Sequence, residues 1–154
     1  MRALVFALRF RGRGVEVAPG RRRGTTRARS QLFRTTLAAT GVAGSVEALD
    51  GETATLEAEV ELTGGGTFVE SGRIHYGAAG SLTFRTVGHG VRGPSGIPGR
   101  TVGAVIWEVT GGDGAFAGAT GLITSNFTVE ATGEVVDDQI ARLLLPDGGQ
   151  ALHS

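Results

Sequence analysis

The chain reads as an all-β protein, a closed antiparallel barrel of about eight strands, and three observations predict it. Residues 53–62 alternate strictly: Ala54, Leu56, Ala58, Val60 and Leu62 interleave with Thr55, Glu57, Glu59 and Glu61, the period of a strand with one buried face. Eight β-rich runs are separated by glycine- and proline-rich turn signals, and no long amphipathic helix interrupts them. Glycine is abundant, 27 of 154 residues, without a triplet period, which fits turns in a barrel or sandwich.

Taken in order, residues 3–10 (Ala-Leu-Val-Phe-Ala-Leu-Arg-Phe) read as the first strand. Residues 11–30 interleave seven arginines with Gly and Thr and keep no apolar period beyond Val15 and Val17, which predicts an arginine-rich loop or arm. A weaker strand resumes at 31–38, and the alternating strand follows at 53–62. Thr63-Gly64-Gly65-Gly66 marks a hairpin into 67–76, where Phe68, Glu70, Gly72, Ile74 and Tyr76 share one face. The next strand, 81–88, points Leu82, Phe84 and Thr86 one way. Residues 88–100 carry too much Gly and Pro for regular structure; they make either a rim loop over a pocket or a surface crossing. Strands at 101–110 and 120–131 flank a glycine connection. Residues 135–145 close the domain as a strand, with a short helix over the Gln-Ile-Ala-Arg-Leu-Leu-Leu part as the alternative. The tail, 147–154, is expected to fray, and the whole of 1–154 makes one domain.

Charge is zero overall but segregated. Residues 1–34 hold ten arginines against Glu16 alone, a net of +9, and the other 120 residues hold five arginines and fourteen acids, a net of −9. The basic segment has no interleaved stacking aromatics, so a solvated segment, paired with the acidic remainder or a neighbouring subunit, is favoured over a nucleic-acid contact. There are no cysteines, so disulfides, thiolate zinc sites and cysteine nucleophiles are excluded. Apolar runs are too short to span a bilayer as helices, and the first residues lack a secretory pattern; a cytoplasmic protein without membrane partners is expected.

Gly112-Asp-Gly114-Ala-Phe116-Ala-Gly118-Ala-Thr-Gly121 could suggest a phosphate cradle, but a strand rather than a helix follows it. Glycines there suit positive φ and close backbone approach at a barrel corner, with Phe116 folding inward as a plug. In this decapeptide the chain resembles the allene oxide cyclase and dirigent-protein barrel superfamily. The resemblance implies an eight-stranded barrel, often trimeric, whose cavity binds an apolar, reactive small molecule and steers its cyclisation or coupling mainly through shape. The expected function is therefore a cofactor-free barrel that binds a small apolar, polyketide- or lipid-like molecule and promotes its cyclisation or isomerisation. The alternative is a non-catalytic oligomeric binding or structural protein with a filled barrel.

Candidate site residues follow from strand parity. Glu108 lies on the largely apolar 101–110 strand; in a dry cavity it would serve as a general acid or base, and otherwise it pairs with Arg85 or Arg73. Asn126, on the strand beyond the glycine connection, could hydrogen-bond a ligand carbonyl or satisfy backbone groups. These two are the catalytic candidates, with Tyr76, Arg85, Trp107 and His89 as ligand-binding candidates. No Gly-x-Ser-x-Gly elbow or metal-ligand spacing occurs among the histidines and acids. Both faces of 101–110 and of 120–131 are largely apolar, and since a barrel buries only its interior, the second apolar face predicts a homo-oligomer, dimer or trimer.

Overall fold

A computed structural model describes residues 1–148; of the expected frayed tail, 149–154 lies outside the described residues. The described residues form eleven strands: β1 (Arg2–Ala18), β2 (Arg21–Ala28), β3 (Gln31–Ala38), β4 (Gly41–Ala48), β5 (Ala54–Gly64), β6 (Thr67–Tyr76), β7 (Ser81–Thr86), β8 (Gly90–Pro94), β9 (Arg100–Gly112), β10 (Thr120–Glu130) and β11 (Glu134–Leu145). All pairings are antiparallel. The order β10-β11-β1-β2-β5-β6-β7-β9 closes through β9–β10 into an eight-stranded barrel, with β8 as an additional short strand. The sheet therefore has no long unpaired edge. Among the described residues the only helical segments are single 3-10 turns at Gly77–Ala79 and Gly114–Phe116, and no helix is long and apolar enough to cross a membrane.

Residues 11–30 correct the expectation of a loop. Almost all of them belong to β1 and β2, which pair from Arg11↔Arg27 to Ala18↔Arg21. Apart from Arg22 at the rim, their inward positions are Gly12, Gly14, Gly24, Thr26 and Ala28, small residues that give no apolar alternation in sequence. The outward arginines of β2 meet the acids of β5 directly, Arg21 opposite Glu61 and Arg23 opposite Glu59. The two oppositely charged halves of the chain are thus neighbours in one sheet.

β8 continues the line of β7 after a break at 87–89. Arg85 pairs with Ser71 and Gly90 with Phe68, so the four residues 86–89 on this line answer two on β6, Val69 and Glu70. Between β2 and β5 the chain leaves the barrel as the β3–β4 hairpin, a separate two-stranded sheet that is exposed almost throughout.

One end of the barrel is packed solid. Phe10, Ile74, Leu82, Phe84, Trp107, Ile123 and Leu143 are fully buried inside it, and Phe116, from the glycine connection, plugs that end. Each such burial is worth roughly 1.5–3 kcal/mol. The corner works as its glycines require. A Cβ on Gly121 (φ +131°) would lie 2.2 Å from the Arg142 carbonyl oxygen, so only glycine lets β10 leave the turn this close to β11. Asp113 in the same connection accepts hydrogen bonds from the Ser81 amide (2.7 Å) and hydroxyl (2.8 Å), which tie the corner to the start of β7 and hold its carboxyl below its ordinary value.

Candidate functional site

The opposite half of the barrel is hollow. A cavity of about 280 Å³ opens at the end where β1 turns into β2 and β10 into β11, close to the lower limit of ordinary ligand pockets, about 300 Å³. Its wall is apolar, with Leu56, Val60, Leu62, Phe68, Phe127, Val129 and Val135. Glycines make the room: Phe68 lies over Gly90 and Phe127 over Gly103, where any Cβ would strike the ring, and the two rings meet edge to face at 5.6 Å. Across from them Gly14 and Gly24 of the arginine hairpin present bare backbone to the cavity.

Two carboxyl groups face this space, Glu70 from β6 and Asp137 from β11. The two strands are four places apart in either direction round the barrel, so the acids come from opposite walls. Asp137 is buried and fully partnered: Oδ1 accepts from the Ser125 hydroxyl (2.7 Å) and Oδ2 from the Gln139 amide nitrogen (2.8 Å). Burial raises its pKa to about 6, and the two hydrogen bonds restrain the rise. Glu70 has no such partners. The residue is half-buried, lining both the cavity and a second cleft beside Arg85 and Thr86, and desolvation of its carboxyl pushes its pKa to about 8, helped by the Asp137 charge. At neutral pH Glu70 is therefore a protonated acid and Asp137 an ionised base. A pair pushed apart in this way is the usual mark of an acid–base couple.

The break after β7 positions Glu70. The paired backbone stops at Thr86, and the Thr86 hydroxyl takes over, accepting from the Glu70 amide (2.7 Å) and donating to the Glu70 carbonyl (2.8 Å). The indole N–H of Trp107 approaches the Glu70 carboxyl and restrains its rise, but it makes no hydrogen bond of full geometry among the described residues. Thr26 also lines the cavity with a buried hydroxyl that has no partner. Buried polar groups are rarely left unmatched, so Thr26 offers the cavity open hydrogen-bonding capacity.

The sequence-derived candidates are dispersed. Glu108 and Asn126 lie on the outer face of the barrel, not in a dry cavity, because β9 and β10 turn Val105, Trp107, Ile123 and Ser125 inward instead. Glu108 pairs with Arg85, also outward, at 2.5 Å. Asn126 is exposed beside Asp138 on β11 and Ala104 on β9. Tyr76 is at the packed end, against Phe6 (5.3 Å) and Phe116 (4.9 Å). His89 is exposed in the break between β7 and β8. Trp107 is fully buried, stacked on Phe84 at 4.0 Å, and of the six it alone reaches the acid pair. No group of three or more metal-ligating side chains converges among the described residues.

Glu70 was visible in sequence on an otherwise apolar strand face. Asp137, Ser125, Gln139 and Thr26 were not singled out; the signal for the first three was their inward parity with apolar neighbours on β10 and β11. Comparison with protein-family models, with curated proteins and with solved structures finds no match to this chain.

Proposed function

We propose that the hollow half of the barrel binds a small, mainly apolar molecule and promotes a proton-transfer rearrangement of it, an isomerisation or cyclisation, with Glu70 as acid and Asp137 as base. The observation that carries this reading is the pair of opposed carboxyls, Asp137 held by two hydrogen bonds and Glu70 without them, across an apolar cavity open at one end. A ligand carbonyl lying between the walls would accept a hydrogen bond from protonated Glu70 while Asp137 removes a proton from the adjacent carbon. The electrons of that C–H bond form the C=C bond of the enol as the Glu70 proton passes to the oxygen; in the return step Asp137 gives its proton to the same or a conjugated carbon and the enol O–H proton goes back to Glu70. These steps use groups that the chain itself supplies. The likeness of the glycine connection to the allene oxide cyclase and dirigent barrels belongs to this reading and is supported by the closed barrel and the decapeptide.

The same reading includes self-association. Val5, Ile106, Leu122, Ile140 and Leu144 are exposed on neighbouring strands of the outer wall, an apolar surface of the sort that subunits cover.

The test is deuterium uptake from D₂O into 2-tetralone, a compact enolisable ketone, followed by proton NMR. The wild-type protein is expected to accelerate exchange over buffer with a pH profile that rises near 6 and falls near 8, following Asp137 and Glu70. Asp137→Asn is expected to abolish the acceleration, and Glu70→Gln to reduce it by about 10²-fold or more. Exchange no faster than in buffer contradicts the chemical part of the proposal.

A further inference from the structure

On β2 the arginines at 21, 23 and 27 project outward, while Arg22 takes the inward parity of Gly24, Thr26 and Ala28. It is half-buried at the mouth of the cavity and lines it together with Arg92 from β8. Five other arginines, Arg9, Arg23, Arg34, Arg85 and Arg100, each have a carboxylate partner. Arg22 has none among the described residues; its sole hydrogen bond is a long one, 3.5 Å, to the Gly14 carbonyl. Glu16, its cross-strand neighbour, is exposed and forms no ion pair with it. Neither Glu70 nor Asp137 on the floor forms an ion pair with it. Glu130, also at the rim, is already bound to Arg100 at 2.6 Å. A guanidinium held in a partly dry wall without a counter-charge lacks the compensation that such groups ordinarily have.

We propose that Arg22, assisted by Arg92, receives the anionic head group of the ligand at the cavity mouth, so that the molecule taken up is an amphiphile with a carboxylate or phosphate at one end and an apolar body reaching toward Glu70 and Asp137. This rests on the cavity being the binding site and adds the ligand's charge and direction. The planar guanidinium fork matches either oxyanion group. The opposite orientation would bring an anion against the carboxyls on the floor.

The test uses three probes with one eight-carbon chain, octanoate, octyl phosphate and octanol, each displacing N-phenyl-1-naphthylamine, a neutral fluorescent dye, from the cavity. With wild-type protein at least one anionic probe is expected to displace the dye at concentrations about tenfold below octanol, the margin of one charge-assisted contact; which of the two does so separates carboxylate from phosphate. Arg22→Gln is expected to remove that margin and leave octanol and the dye unchanged, which also shows the variant to be folded. Arg92→Gln is expected to narrow the margin less, because Arg92 is exposed. A wild-type preference for octanol, or an anion preference that survives in Arg22→Gln, overturns the inference while the cavity reading stands. Failure of the dye and all three probes to bind overturns the cavity reading and the inference with it.

Discussion

Glu70 shares its face of β6 with Phe68, Gly72, Ile74 and Tyr76, and this placement determines its protonation. Its pKa rises from 4.5 to about 8 because the charged form loses its water. Between those values the unfolded chain gives up a proton that the folded chain keeps. Stability from Glu70 is thus complete below about pH 4.5 and is lost as pH rises toward 8; Asp137 acts in the same direction between 3.8 and about 6. The amide in Glu70→Gln imitates the protonated acid at every pH. Urea unfolding is expected to find this variant close to wild type at pH 5 and more stable at pH 8.5, by a few kcal/mol in order of magnitude. Parallel stability profiles would show that Glu70 is not held protonated. At this scale the sequence was only partly legible. Parity put Glu70 on the inner face, yet it also put Glu108 on an apolar face, and a strand with two apolar faces does not say which is inside. Trp107, which fills the interior from the other side of β9, makes that choice.

Elements were easier to read where an inner face is large and apolar. β5 and β6 follow the alternation of Leu56, Val60, Phe68 and Ile74, and the glycine connection is the plugged corner that its residues suggest. The β1–β2 hairpin was illegible for a physical reason: below Arg22 at the mouth its inward side is Gly, Thr and Ala, and that smallness leaves the cavity empty. The β7–β8 break was hidden because the Thr86 hydroxyl, rather than backbone pairing, fastens Glu70. β3–β4 is an isolated hairpin with Leu37 and Val42 largely exposed, and such hairpins are marginal alone. Together with the outer stripe on β9, β10 and β11, it leads to a prediction for sedimentation equilibrium. The mass is expected to be two or three times the chain's 15.8 kDa, and the double variant Leu122→Asp/Ile140→Asp is expected to run as a folded monomer. A monomeric wild type would remove the self-association from the account.

The molecule as a whole divides along the barrel axis. One half is a conventional core closed by Phe116; the other is an apolar chamber with opposed acids at its floor and arginines at its mouth. Closure of the sheet was predictable from strand count and turns, whereas hollowness was not, because it depends on which inward positions along neighbouring strands are small at the same level. Gly24 occupies such a position. A Cβ there would meet nothing nearer than the Arg13 carbonyl oxygen at 3.9 Å, and its inward direction leads into the chamber. Gly24→Leu should therefore fill the cavity without disturbing the wall. The most direct test of the central claim is titration of wild-type and Gly24→Leu protein with N-phenyl-1-naphthylamine. Saturable, blue-shifted fluorescence is expected for the wild type, with a loss of at least about tenfold in affinity for the equally folded variant. Equal binding by the two proteins, or no binding by the wild type, would contradict that claim.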